Sequence, residues 1–274
     1  MSKIHQAMRR AEKEGVGPSV TRENKERTVL RESPLRRPIH DLVISSKRDI
    51  ADSVDDFSVS AERKTTPDSR LVALSGGIYD ALRDRFRAAR EKARSGGSDL
   101  KAILITGVGS GDGKSLTVAN LSISVSKGLG EKVLLVDANL RAPSLHGLLG
   151  IDQGCGLSDV LQGTLAANQA ISGTDMSNIY FMPAGSRVEN PSRLLNTRKM
   201  SDFLALVRRH FDWVFLDSPS LMPEPDADLL SSMVDGVVLV TRRSTLSATP
   251  LRDGIQMLQG RSVLGVVLND VDGR

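Results

Sequence analysis

TGVGSGDGKSLTVANLS, residues 106–122, decides how this 274-residue chain is read. Glycines stand at 107, 109, 111 and 113, Lys114-Ser115 follows, and a helix-length segment takes over. KAILIT, just before it, reads as a buried strand. Strand, glycine-rich turn, Lys-Ser and helix together bring backbone N–H groups and a helix dipole to one point, which is what holding phosphate oxygens requires. Gly109, Gly111 and Gly113 allow the backbone to approach the anion. The phosphate-facing run is Gly109, Ser110, Gly111, Asp112, Gly113, Lys114, Ser115 and Leu116. The Lys114 ammonium is expected on the β- and γ-phosphates, and the Ser115 hydroxyl in a Mg²⁺ shell. Val108 stands where the strict spacing asks for the first glycine. Its N–H survives, and the substitution is tolerable where residue 108 keeps a negative φ.

Two acidic strand ends extend the motif. KVLLVDANLR places Asp137 after an apolar run, and WVFLDSP does the same for Asp217. In an open parallel sheet, ligands collect beyond the carboxyl ends of the strands, so both carboxylates are expected near the phosphates held by Lys114. Two carboxylates and one hydroxyl suit Mg²⁺, which keeps several waters and takes few protein ligands.

Outward from this centre the rhythm persists. IYFMPA, WVFLD, DGVVLVT and SVLGVVLN are strand-like, and TRKMSDFLALVRRH and LRDGIQMLQ are helical, so an α/β domain with a mainly parallel sheet flanked by helices is predicted over 71–274. IYDALRDRFRAAREKAR before it has helical spacing at Ile78, Leu82, Phe86 and Ala89. At the start, Ile4, Ala7, Met8 and Ala11 form one apolar stripe, predicting an amphipathic helix over 1–15. Residues 16–70 are polar, mixed in charge and interrupted by prolines, and are expected to be a disordered linker.

Composition narrows the function. Residues 1–70 hold 15 of the 37 Lys/Arg and 12 of the 33 Asp/Glu, which leaves the rest nearly neutral despite a pI near 9.3. Without a basic stripe, and with aromatics at 3%, nucleic acid is not the expected ligand. The single Cys155 fits a reducing compartment, and no apolar run approaches the ~18 residues of a membrane span. The expected location is cytoplasmic.

With these residues in place, the stretch from about 76 to 270 resembles the cytoplasmic ATP-binding domain of bacterial tyrosine kinases (BY-kinases) of capsular and exopolysaccharide systems. ILITGVGSGDGKSLTVANLS is similar to their Walker A segment, VLLVDANLRAPSLH to Walker A′ and FDWVFLDSPS to Walker B. GLSDVLQG and MPAGSRVENPSRLL match connecting pieces. The resemblance implies a P-loop NTPase of MinD/ParA-like architecture that uses ATP and Mg²⁺ and phosphorylates protein tyrosines. It also implies a membrane polysaccharide co-polymerase as partner, recruitment to the inner face of the membrane through it, and assembly into a homo-oligomer. By position, Lys114, Ser115, Asp137 and Asp217 take the catalytic and metal roles, and Asn269 is a candidate for adenine contact.

Three departures stand out. Walker A′ reads Asp-x-Asp-x-Arg in the family but Asp137-Ala138-Asn139-Leu140-Arg141 here, and Asn139 cannot act as a carboxylate base. The family ends in a tyrosine-rich tail, whereas no tyrosine follows Tyr180. The ring-assembly pattern Glu-x-x-Arg-x-x-Arg aligns with Gly77, Asp80 and Arg83. A kinase-inactive ATPase switch therefore stays open, as does an adaptor using nucleotide only for stability. A MinD/ParA-like positioning ATPase is a further rival, although such proteins carry a second lysine where Gly109 stands.

Overall fold

The computed structural model describes residues 62, 63, 65, 78–242 and 248–269. The expected N-terminal helix and most of the expected linker lie outside the described residues.

Among the described residues, eight strands form one sheet: β1 (Glu62–Arg63), β2 (Ala102–Gly107), β3 (Val133–Asp137), β4 (Ser172–Thr174), β5 (Ile179–Met182), β6 (Trp213–Asp217), β7 (Gly236–Arg242) and β8 (Val263–Asn269). Their spatial order is β1-β4-β5-β3-β6-β2-β7-β8. All pairings are parallel except β4 with β5. The predicted, mainly parallel α/β architecture is therefore observed. Its antiparallel corner escaped notice because Ser172–Thr174 offers only three residues and no apolar alternation. Glu62–Arg63, within the stretch expected to be linker, pairs with β4 at the sheet edge.

The central strands are buried on both faces, which is why they read as continuous apolar runs. Alternate residues serve different cores. Leu134, Val136, Val214, Leu216 and Leu239 pack with Phe203, Leu204 and Val207 of the helix Arg198–His210 on one face. Ile103, Ile105, Leu135, Trp213, Phe215 and Val240 pack on the other with helices α1 (Ile78–Ser95) and α2 (Lys114–Leu129). Among the described residues, no helix is long and apolar enough to cross a membrane.

Trp213 anchors the second face. It is fully buried, stacks on Phe215 with centroids 5.8 Å apart, and meets the Phe86 ring edge at 6.2 Å. The Arg90 guanidinium lies 4.6 Å from its ring, and its Nε1 donates to Glu131. One side chain thus joins α1, β6 and the end of α2, and sets the base from which the β6 carboxyl end projects. Trp213→Ala is expected to lower stability by about 3–5 kcal/mol, because the cavity it opens is walled by rings that cannot collapse into it. Met222→Ala, at a residue 41% exposed, should stay within about 0.5 kcal/mol. Urea unfolding of both variants checks the contrast.

Candidate nucleotide and metal site

The loop after β2 leads straight into α2. Gly113 is the N-cap, at φ 89°, and no side chain caps it. The first helical bond runs from Thr117 N–H to the Gly113 carbonyl at 2.8 Å, leaving the amides of Lys114, Ser115 and Leu116 outside the ladder. A side chain at 113 would meet Asn269 Nδ2 at 2.0 Å, so close approach and left-handed backbone both demand glycine there. Among the described residues, Asn178 is the one non-glycine with positive φ, so Val108 keeps the backbone that its side chain needs. Its bulk is absorbed by a gap elsewhere: a Cβ on Gly254 would sit 2.6 Å from Val108 Cγ1.

Asp112 is almost fully buried, and its carboxylate accepts from the Gly109 N–H at 2.8 Å. Its side chain is a strut of the loop, and only its backbone faces the cradle's task. Asn269 Nδ2 donates to the Asp112 carbonyl at 3.0 Å, tying β8 to the loop. Lys114 Nζ donates to the Gly109 carbonyl at 2.9 Å and to Ser220 Oγ at 3.0 Å. Burial pushes the Lys114 ammonium down, while the charges of Asp217 and Asp112 oppose that shift. Ser110 and Gly111 are exposed at the loop tip.

The carboxylates meet as expected. Asp137 and Asp217 are direct register partners at the ends of β3 and β6, and both are fully buried. Asp217 Oδ2 accepts from Ser115 Oγ at 2.5 Å, and Ser144 Oγ donates to Ser115 Oγ at 2.8 Å. Asp137 accepts from the backbone N–H groups of Asn139, Ser144 and Leu145 at 3.0–3.2 Å. Burial raises Asp217 to about 8, with the Asp137 charge adding to it, and burial raises Asp137 to about 6 against those backbone bonds. Asp217 Oδ1 is buried without a hydrogen bond among the described residues. An orphaned carboxylate oxygen, a neighbouring carboxylate and a serine hydroxyl fit a hard divalent cation such as Mg²⁺.

Asn139 Oδ1 accepts from Ala142 N–H at 3.2 Å. Arg141 reaches Asp226 at 2.7 Å, Ser192 at 2.9 Å and Glu224 at 3.0 Å. Ser144 and Ser220 were missed by sequence reading. Their signal was weak: each lies within seven residues of an aspartate already chosen, but isolated serines carry no pattern.

Comparison with known proteins identifies the domain. Residues 103–274 match the family model of the CobQ/CobB/MinD/ParA nucleotide binding domain. The chain is 30% identical over 179 residues to the tyrosine-protein kinase CpsD of Streptococcus pneumoniae serotype 4 (strain ATCC BAA-334 / TIGR4), covering 64% of this chain and 78% of that one. Two longer relatives, the putative tyrosine-protein kinases AmsA of Erwinia amylovora and EpsB of Ralstonia solanacearum, are spanned over under a third of their length. The kinase domain of the Escherichia coli tyrosine kinase ETK superposes with a TM-score of 0.62 at 27% identity, over 69% of this chain and 75% of that one. The septum site-determining protein MinD of Pyrococcus horikoshii OT3, complexed with Mg-ADP, superposes at 0.53 and 28% identity, over 62% and 70% of the two chains. The chain belongs to the CobQ/CobB/MinD/ParA nucleotide-binding family and, within it, to the BY-kinases.

The raised carboxyls make a pH prediction. Folded Asp217 holds a proton that the unfolded chain has released above a pH of about 4, so stability of the nucleotide-free protein should fall as pH rises from about 4 to 8. Asp217→Asn should flatten that slope in thermal melts and remove the Mg²⁺-dependent stabilisation by nucleotide.

Proposed function

We propose that the chain is an ATP- and Mg²⁺-dependent BY-kinase of a capsular or exopolysaccharide system, phosphorylating tyrosines on another protein. The observation that carries the nucleotide reading is the convergence of Ser115, Asp137 and Asp217 at the mouth of the Lys114 loop, with Asp217 Oδ1 left without a partner.

Both tyrosines of the chain are buried, Tyr79 against Thr117 and Asn120, and Tyr180 against Phe211. In this reading the acceptor is a tyrosine of another protein that reaches the Lys114 loop. Its hydroxyl oxygen attacks the γ-phosphorus, the bond to the β–γ bridging oxygen breaks, ADP leaves, and the tyrosine proton passes to a carboxylate. With Asn139 in the place of the second acid, proton acceptance falls to Asp137 or to the geometry of the bound substrate. Lys114 and the loop amides hold the phosphates, while bound Mg²⁺ supplies charge neutralisation at the transferring group. Lys114, Ser115, Asp137 and Asp217 are the residues assigned to chemistry and metal, and Gly109 to Leu116 to the phosphates. Asn269 is assigned to the rim where adenine would lie.

A membrane polysaccharide co-polymerase as activator and anchor at the inner face of the membrane is part of this reading. Asp80 and Arg83, at the ring-assembly positions, are engaged within the chain: Asp80 accepts from Ser124 at 2.7 Å and from Arg83 at 2.8 Å. Homo-oligomer formation would therefore use other contacts. A kinase-inactive ATPase switch is the second reading, favoured by Asn139.

Incubation with γ-labelled ATP, Mg²⁺ and a tyrosine-bearing copolymer separates the two. Label on tyrosine is expected, with Lys114→Ala reducing transfer by ~10²–10³-fold. Phosphate release alone would establish the switch, and failure of calorimetry to detect ATP uptake would remove both readings.

A further inference from the structure

Arg242 closes β7, next to β2 on the side away from the two carboxylates. In register it stands opposite Asn269 of β8, whose amide holds the Asp112 carbonyl. Its Nη2 lies 4.0 Å from where a side chain on Gly111 would begin. The guanidinium thus flanks the phosphate loop at the residue whose left-handed backbone, φ 76°, shapes the cradle. Arg242 is half-buried, and its Nε is buried with no hydrogen bond among the described residues. A guanidinium cannot shed its charge, and a buried donor without an acceptor is unfavourable, so an anion arriving in the cradle would satisfy both.

We infer that Arg242 is a further nucleotide-binding residue, its guanidinium hydrogen-bonding the phosphates next to the nucleoside, which ATP and ADP share. The placement follows from strand order. Asp137 and Asp217 end β3 and β6 on one side of the loop, and mark the metal and γ-phosphate end. Arg242 and Asn269 end β7 and β8 on the other side, where the α- and β-phosphates lead to the nucleoside. This inference rests on the ATP-binding reading above.

Calorimetry with Mg-ATP and Mg-ADP, and displacement of labelled ADP by pyrophosphate, test it on wild type, Arg242→Ala, Arg242→Gln and Arg242→Lys. The alanine and glutamine variants should weaken ATP, ADP and pyrophosphate alike by about tenfold, the lysine variant less. Loss of the charge should also flatten the salt dependence of ADP affinity, which a residue that merely braces the loop would leave unchanged. Unaltered affinities in folded variants, or an unaltered salt dependence, overturn the inference. So does weakening of ATP with pyrophosphate unchanged, which would put the contact on the nucleoside, or weakening of ATP with ADP unchanged, which would put it on the γ-phosphate. Wild type that binds neither nucleotide removes the ATP reading as well, whereas variants matching a wild type that binds remove this inference alone.

Discussion

Two carboxyl groups set side by side at the ends of adjacent strands, buried from solvent, are the constraint on which the rest of this molecule depends. Asp137 and Asp217 are in direct register and fully buried. Desolvation and mutual repulsion both disfavour their charged forms, and the surrounding groups answer that strain only in part. The N–H groups of Asn139, Ser144 and Leu145 serve Asp137, and Ser115 serves Asp217. A buried oxygen on Asp217 remains over. Such a pair is unfavourable as an isolated structural element, and in the proposed function a divalent cation with triphosphate would relieve it.

The loop facing these groups is held from several sides at once. A side chain on Gly107 would strike the Val240 carbonyl at 2.6 Å, so β7 fixes where the loop begins. The 248–257 helix receives Val108 over Gly254. Asp112 and Asn269 hold the middle, and Ser220 holds both Lys114 and the Gly109 carbonyl, the latter at 2.7 Å. Donors fixed in advance by the fold need little reorganisation when charge develops on a transferring group, and this is the main electrostatic advantage of such sites.

Where the chain departs from its relatives, the departures are accommodated structurally. Asn139 closes a turn at Ala142 and leaves Arg141 to pin the loop to the buried Asp226. Asp80 and Arg83 join α1 to α2, with the Arg83 guanidinium lying over Gly128. Both side chains are thus engaged in packing two helices of one chain. Lys114 on its loop and the paired carboxylates keep the strand-end arrangement on which the proposed nucleotide site rests.

Much of the site was legible in the sequence because its information is local. A strand, a glycine-rich turn and Lys-Ser lie within 17 residues, and an aspartate closing an apolar run announces a strand end. The buried central strands, each five to seven residues long, were legible for the same reason. Sequence by itself thus determined the fold class, the cradle and the two carboxylates. Only the tertiary structure decided that Asp112 and Asn269 are struts, that Ser144 and Ser220 enter the site, that Gly254 makes room for Val108, and that Arg242 stands beside Gly111. These relations join residues as far apart as 157 positions, and no spacing rule spans that separation. They arise when strand order, which depends on how the whole sheet packs between its helices, brings distant strand ends to one edge.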